Sequence, residues 1–216
     1  MSPRFSEHLR AGTEPAWTQA VQHRFVQELC SGRIADAAMA RYLVQDHRFI
    51  DAFVTLLGAA IASADSFEAR LRLGRFAGMV YSEENDYFLR AFTALGVDAS
   101  TRANAPDAAP TAGFKALMRE AAATRSYAAT LAVLNVAEGL YLDWATRAPQ
   151  PRPGNFVHAE WISLHDNPFF AGFVGFLRDE LDRVGPGEAA LARDFFQRAV
   201  ALELAFFDAV YDAEAA

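Results

Sequence analysis

The sequence has almost no cysteine, and its charges form no block of one sign. Cys30 is the one cysteine among the 216 residues, so the chain cannot form an internal disulfide, and no Cys and His residues have zinc-site spacing. The formal net charge is −7, with acidic and basic residues mixed along the chain. Because no basic stripe is present, the sequence argues against nucleic acid as a partner.

Long hydrophobic runs are also missing. No stretch of 18 consecutive apolar residues occurs anywhere in the chain, so we expect no transmembrane helix and no membrane partner. The segment from Met1 to Gly12 mixes polar and apolar residues and lacks the continuous apolar core of a signal peptide. Together with the single cysteine, these absences predict a reduced, cytoplasmic protein.

What the sequence does contain is helical periodicity. Apolar residues, 52% of the chain, recur at spacings of three and four, and strict alternation is nearly absent. The 18 phenylalanines favour a core or pocket built from aromatic rings. A chain of this length fits one good-sized core. We therefore predict an all-α fold, a single helical domain over residues 1–216 with seven or eight helices.

Residues typical of helix starts and stops give approximate helix bounds. Ser66 and Glu68 suit a helix start, Pro168 suits a first turn, and Gly96 suits a stop. Residues 98–112 are rich in Asp, Asn and Pro and are predicted to form a surface loop. The first 30 residues are predicted to add one or two helices. The main predicted helices are Asp36–Ile61, Ser66–Gly96, Ala112–Thr146, Val157–Leu164, Pro168–Val184 and Glu188–Asp212.

Acidic residues fall on the apolar stripes of these helices. Asp46, Glu138 and Glu203 each lie within the stripe of a different long helix, and either Glu83 or Glu84 should face inward from a fourth. An unpaired buried carboxylate costs several kcal/mol or becomes protonated. Each acid alone suits a structural role, bonded to Arg, Tyr or Trp. For three acids on three aromatic-rich helices, convergence in one pocket is the better explanation.

Familiar catalytic and metal motifs are absent. None of the five histidines has a Glu three residues before it, as a ferritin-like di-iron site requires. His-Glu-x-x-His, a phosphate-binding glycine loop and the Gly-x-Ser-x-Gly elbow are missing as well. We therefore expect neither a metal nor a cofactor.

Four short motifs resemble those of the TenA/thiaminase II family. They occur in the family's order, and the resemblance spans about Leu29 to Tyr211. No single motif is decisive, but four in register make coincidence an unsatisfactory explanation. The motifs are Tyr42-Leu-Val-Gln-Asp46, Glu138-Gly-Leu-Tyr141, Trp161-Ile-Ser-Leu-His165 and Leu202-Glu203-x-x-Phe206-Phe207-Asp208.

The resemblance implies a heme-oxygenase-like helical bundle that encloses a central pocket for a substituted aminopyrimidine. By that similarity, Asp46 holds the amino edge of the pyrimidine, Tyr141 shapes or polarises the site, and Glu203 acts in proton transfer. Similar proteins are commonly homo-oligomers, so a dimer or tetramer is expected.

The sequence departs from the thiaminase II pattern at one decisive position. Ala137 stands where that branch has a nucleophilic cysteine, while Phe49 and His165 replace two family tyrosines. The chain instead resembles the branch in which glutamate takes over, as the string from Ser82 to Phe88 also suggests. The resemblance therefore implies hydrolysis of aminomethyl or formylaminomethyl aminopyrimidines to the hydroxymethyl compound, and not thiamin cleavage by cysteine attack.

The predicted site assigns catalysis and binding to different side chains. Glu138 or Glu203 protonates the leaving amine while the other activates water, and Tyr141 assists. Substrate-binding residues are predicted to be Asp46, Phe49, Glu84, His165, Phe206 and Phe207.

Two alternatives stay open. One is a non-catalytic pyrimidine-binding or regulatory protein of the same fold. The other is an oxidase related to the enzyme that completes pyrroloquinoline quinone, for which bound heme, metal or quinone would be expected. Few histidines fall on inward faces, which argues against the second alternative, and His165 is the residue that could favour it.

Overall fold

The computed structural model describes residues 3–212, and within that range it contains helices and no β-strand. The all-α prediction is therefore confirmed. The extreme ends of the predicted 1–216 domain lie outside the described residues. In chain order the α-helices are α1 (Phe5–Ala11), α2 (Ala16–Val21), α3 (Arg24–Cys30), α4 (Asp36–Ser63), α5 (Phe67–Met79), α6 (Asn85–Ala94), α7 (Ala99–Asn104), α8 (Ala109–Ala123), α9 (Tyr127–Ala145), α10 (Phe156–Leu164), α11 (Pro168–Val184) and α12 (Ala189–Ala209).

Eight of the helices described in residues 3–212 have nine or more residues, in keeping with the seven or eight predicted. The other four, α1, α2, α3 and α7, have six or seven residues each. The predicted starts at Ser66 and Pro168 are confirmed, because the Ser66 side chain accepts a hydrogen bond from the Ala69 backbone N–H and Pro168 opens α11. Gly96, with φ 68°, follows the end of α6.

The short helices correct two predictions. The first 30 residues form three helices, α1 to α3, and not one or two. The predicted loop 98–112 contains α7 and the first turn of α8. The side chain of Asp98 accepts a hydrogen bond of 2.7 Å from the Thr101 backbone N–H, so the Asp that suggested a loop is the N-cap of a helix.

The prediction of one continuous helix over Ala112–Thr146 is wrong, because this stretch contains two separate helices, α8 and α9. The chain turns at Arg125, whose φ of 57° lies in the left-handed region. The side chain of Ser126 then caps α9 by accepting a hydrogen bond of 3.0 Å from the Ala129 backbone N–H. The break allows α8 and α9 to pack on each other and against α4.

The predicted helix Ser66–Gly96 is also interrupted. Residues Val80–Glu84 form a π-helical turn between α5 and α6. A π-turn widens the helix by one residue and rotates the side chains that follow. This interruption sets the direction of Glu84, which lies at the end of the turn.

Helix α9 occupies the centre of the bundle. Most of its residues are buried on all sides, and it packs against α11 on one flank and α12 on another, with α4 and α8 nearby. Helices α4, α9 and α12 therefore direct their inward faces at a common interior. Nowhere in residues 3–212 does a helix have both the length and the apolar character that crossing a membrane requires.

Candidate active site

A pocket opens between α4, the π-turn, α9, α12 and the segment that joins α10 to α11. Its wall is mainly aromatic and aliphatic, and its polar groups are mostly carboxylates. The lining residues are Asp46, Phe49, Ile50, Phe53, Phe76, Met79, Val80, Glu83, Glu84, Phe114, Ala137, Glu138, Tyr141, Trp161, Leu164, His165, Asn167, Phe169, Phe170 and Glu203.

Four acidic side chains reach this pocket from four different elements. Asp46 comes from α4, Glu138 from α9 and Glu203 from α12, and they retain only 4%, 8% and 1% of their surface exposure. Glu84 comes from the π-turn and is partly buried. The structure thus brings together the acids that the stripe pattern singled out.

The acids raise one another's pKa values. Burial raises the pKa of Asp46 well above its ordinary value, and the charge of Glu84 adds to the effect. Burial acts in the same direction on Glu138, with Glu84 and Asp46 adding to it, and on Glu203, with Asp46 and Glu138 adding to it. Burial raises the pKa of Glu84 to about 7. Carboxyl groups this close cannot all be ionised at neutral pH, so the cluster holds protons that it can donate.

The π-turn decides which of the two neighbouring glutamates faces inward. Glu84 is partly buried and interacts with Asp46 and Glu138, whereas Glu83 is exposed at the rim of the pocket. π-Turns inside α-helices often occur at functional sites. Here the turn supplies Glu84, which is partly exposed and whose charge acts on the buried Asp46 and Glu138.

Two tyrosines are joined beside the acids. The hydroxyls of Tyr42 and Tyr141 lie 2.7 Å apart in the buried interior, so one donates a hydrogen bond to the other. Tyr141 follows Glu138 by three residues on α9 and lines the pocket with it. Tyr42 precedes Asp46 by one turn of α4, a signal in the sequence that could have identified it as a partner of the site. One carboxylate oxygen of Glu203, Oε2, has no hydrogen-bond partner within the described residues.

His165 presents a neutral ring to the pocket. Its Nδ1 lies 2.8 Å from the carbonyl oxygen of Trp161, so Nδ1 carries the proton and donates it in a hydrogen bond. Burial lowers the pKa of His165 to about 4. The ring centroid is 4.9 Å from that of Tyr141 and 5.1 Å from that of Phe170. His165 therefore offers an aromatic surface and an acceptor nitrogen, and no charge.

The predicted aromatic residues divide into two groups. Phe49 lines the pocket. Phe206 and Phe207, which were predicted to contact the substrate, do not line the pocket. The ring of Phe206 lies behind that of Phe49, 5.5 Å between centroids, and Phe207 stacks on Phe25 at 5.1 Å. Both lie one turn beyond Glu203 on the same side of α12, where they pack against α4 and α3.

Several residues that line the pocket were not predicted from the sequence as site residues. Phe53 of α4 and Phe114 of α8 form parts of the wall, and Phe76 of α5 lines it while stacking on Phe173 at 3.8 Å. The chain has too many phenylalanines for composition to separate wall from core, so only the abundance of rings hinted at them. Ala137 lines the pocket with a methyl group.

The arrangement of the acids does not form a metal-binding cluster. Across residues 3–212, no three His, Cys, Asp or Glu side chains are placed to hold one ion. The chemistry that the pocket supports directly is the binding of an aromatic cation and proton transfer.

Comparison with known proteins gives the same fold. A TenA homologue from P. horikoshii OT3 has 18% identity and a TM-score of 0.87, over 97% of this chain and 99% of that one. A putative TenA-like thiaminase from Sulfolobus solfataricus P2 has 16% identity and a TM-score of 0.80, over 96% of this chain and 95% of that one. A domain of unknown function from Shewanella denitrificans OS217 is described as having a heme oxygenase-like fold. It has 17% identity and a TM-score of 0.71, over 97% of this chain and 93% of that one. The fold is therefore heme-oxygenase-like.

Sequence comparison extends over nearly the whole chain. An uncharacterized protein from Haemophilus influenzae is 23% identical over 207 residues, which are 93% of this chain and 96% of the relative. A family model matches residues 10–213, a range that contains all four pocket acids and both tyrosines. By this match the chain belongs to the TENA/THI-4/PQQC family.

Proposed function

We propose that the protein hydrolyses aminomethyl or formylaminomethyl aminopyrimidines to hydroxymethyl aminopyrimidine, a salvage reaction of thiamin metabolism, by a cysteine-independent route. Family membership and the shared fold of a TenA-like thiaminase suggest a thiamin-related function. The observation that carries the finer proposal is the cluster of four carboxyl groups in one aromatic pocket. Ala137, at the position of the family's nucleophilic cysteine, supports the glutamate-dependent branch.

The pocket suits a small, flat, basic ring. Aromatic side chains such as Phe49 and Tyr141 offer faces and edges on which a pyrimidine can stack. Carboxylates accept hydrogen bonds from amino groups, and charge-assisted bonds of this kind are the stronger class. We assign Asp46 to the exocyclic amine of the ring and Glu84 to the mouth of the pocket, where a second amino group enters.

Proton transfer is assigned to two glutamates. The aminomethyl substrate binds as a cation and reacts as the neutral amine after it gives one proton to the carboxyl cluster. Glu203 in its protonated form then donates a proton to the leaving nitrogen as the bond from the methylene carbon to that nitrogen breaks. The bond's electron pair leaves with the nitrogen, and ammonia departs. A water oxygen forms the new bond to the methylene carbon, and Glu138 takes the proton that this water loses. Each of the two roles is typically worth roughly 10²–10⁴ in rate.

The first test is turnover of aminomethyl and formylaminomethyl aminopyrimidines, with thiamin alongside. Wild type is expected to release hydroxymethyl aminopyrimidine from the first two and to cleave thiamin poorly. Glu203→Gln and Glu138→Gln are each expected to lose on the order of 10² or more in kcat. Glu188→Gln is the matched control, because Glu188 is an exposed glutamate that precedes α12, the helix of Glu203.

Four outcomes would contradict the proposal or one of its residue assignments. Rapid thiamin cleavage would show that Ala137 does not mark loss of that activity. Tight pyrimidine binding without turnover would favour a binding or regulatory protein. Absorption bands from a heme or quinone that purifies with the protein would favour an oxidase. A loss of only a few-fold in kcat for Glu203→Gln would remove Glu203 from proton transfer.

A further inference from the structure

A second cavity lies on the opposite side of α9 from the acid pocket. It is enclosed by α1, α2, α9, α11 and α12, and its charged groups are mostly basic, unlike those of the acid pocket. Its lining residues are Arg4, Ser6, Glu7, Arg10, Trp17, Asn135, Arg178 and Phe196. Three guanidinium groups and one carboxylate line this cavity, in a chain whose net charge is −7.

Arg178 is the unusual member of this set. Its guanidinium is partly buried, and within the described residues it takes part in no hydrogen bond and no ion pair. It lies close over α9, with Nη2 3.8 Å from the point where a Cβ on Gly139 would be. Guanidinium groups at partly buried positions are normally paired. Arg178 therefore offers donors that the folded chain does not use.

The nearby acids are already engaged by other groups. Asp143 accepts a hydrogen bond of 2.8 Å from the Trp17 indole N–H and pairs with Arg10 at 3.1 Å. Asp182 pairs with Arg4 and accepts a 2.6 Å hydrogen bond from the Ser6 backbone N–H. Both acids act on Arg178 through their charge, but neither forms an ion pair or a hydrogen bond with it.

Ser6 supplies a second and independent observation. Its side chain is only 7% exposed, and its hydroxyl has no hydrogen-bond partner among the described residues. A buried hydroxyl left without a partner costs free energy, and such groups are usually bonded to the protein or to something bound within it. Ser6 and Arg178 line the same cavity.

We propose that this cavity binds a small tetrahedral oxyanion, either free phosphate or the phosphoryl group of a small ester, between the Arg178 guanidinium and the Ser6 hydroxyl. A guanidinium presents paired N–H donors that match two oxygens of such an anion. The Ser6 hydroxyl donates to a third oxygen. Arg4 and Arg10 contribute positive charge while remaining paired with their acids. The site is independent of the proposed hydrolase function, because none of its residues lines the acid pocket.

The test is isothermal titration calorimetry of the full chain with inorganic phosphate and, separately, with glycerol phosphate. Wild type is expected to bind at least one of them saturably below about 10 mM. Arg178→Gln is expected to weaken binding about tenfold or more, and Ser6→Ala about threefold, as loss of a charge-assisted and of a neutral hydrogen bond implies. Arg193→Gln, which removes an exposed arginine from α12, is expected to leave binding unchanged.

The two ligands identify the source of the anion. Preferential binding of glycerol phosphate supports a phosphate ester as the natural occupant, and preferential binding of inorganic phosphate supports the free ion. Arg178→Lys, with circular dichroism to verify folding, keeps the charge but loses the paired donors, so its binding should fall between those of wild type and Arg178→Gln. Equal binding by wild type and Arg178→Gln, or no binding of either ligand by wild type, would overturn the proposal.

Discussion

Glu84 is a pocket acid whose protonation changes near physiological pH. Burial raises its pKa from an ordinary 4.5 to about 7. Between those two values the folded protein holds the Glu84 proton while the unfolded chain has released it. By linkage, the contribution of Glu84 to the free energy of unfolding falls as pH rises from about 4.5 and stops falling above about 7.

Replacing this carboxyl group should therefore make stability less sensitive to pH. Relative to wild type, Glu84→Gln is expected to gain free energy of unfolding on the order of 2 kcal/mol between pH 5 and pH 8. Urea unfolding of both proteins at each pH measures the difference. Glu120→Gln is the matched control, since Arg198 lowers the pKa of Glu120 and the carboxylate titrates below this range. A Glu84→Gln difference that stays constant with pH would show that Glu84 is not desolvated.

The burial of neighbouring acids explains why one residue can have this effect. Asp46 and Glu138 lie on helices packed at the centre of the bundle, and their pKa values are raised partly by Glu84. A glutamate in such surroundings can change its protonation when a cationic ligand arrives. At the level of single residues, the stripe pattern predicted which acids face inward. The stripe pattern left open whether Glu83 or Glu84 would do so, because a π-turn has no sequence signature, although the predicted substrate-binding set named Glu84.

At the level of the helices, the backbone is strained at Arg125, in the boundary between α8 and α9. Arg125 adopts φ 57° and is exposed, and a left-handed conformation costs a residue with a Cβ roughly 1–2 kcal/mol. Glycine removes that cost but makes the unfolded chain more flexible. We expect Arg125→Gly to raise the free energy of unfolding by about 0.5–1 kcal/mol. Urea or thermal unfolding measures the change. Arg125→Ala, which keeps a Cβ, should give no such gain, and equal effects of the two variants would contradict the argument.

The helices that the sequence predicted well are those bounded by capping residues. Ser66 and Pro168 mark starts that the structure reproduces. The break near Arg125 was missed because Gly and Pro are absent from Thr124-Arg125-Ser126, and the apolar periodicity continues on both sides. Ser126 as N-cap of α9 was the available signal. Capping motifs that lie within one long apolar pattern are easily taken for helix interior.

At the scale of the whole molecule, periodicity predicts which face of a helix is buried but not which helix lies opposite. Asp46, Glu138 and Glu203 were identified from their stripes. Phe206 belongs to a stripe too, yet it packs behind Phe49, because α12 directs only part of its buried face at the pocket. Phe114 lies on α8 and reaches the wall only because α8 folds back against α4. Such contacts depend on the arrangement of helices in three dimensions.

The acid pocket and the cavity behind α9 are lined by charged groups of opposite sign. The acid pocket is lined by the four clustered carboxyl groups and by Glu83 at its rim, and its lining residues include no lysine or arginine. The cavity behind α9 is lined by three arginines. A phosphoryl group brought into the acid pocket would meet like charges and no compensating cation, and like-charge juxtaposition costs several kcal/mol. The acid pocket should therefore select unphosphorylated, positively charged pyrimidines.

This selection can be measured by competition. A phosphorylated hydroxymethyl aminopyrimidine is expected to bind the acid pocket about 100-fold or more weakly than the aminomethyl compound. Asp46→Asn should weaken binding of the aminomethyl cation more than binding of the neutral hydroxymethyl compound, because it removes charge while keeping shape. Asp51→Asn, an exposed change on the same helix, is the control. Equal affinities for the phosphorylated and cationic ligands would mean that charge does not govern entry. The substrate would then be chosen by the aromatic walls alone.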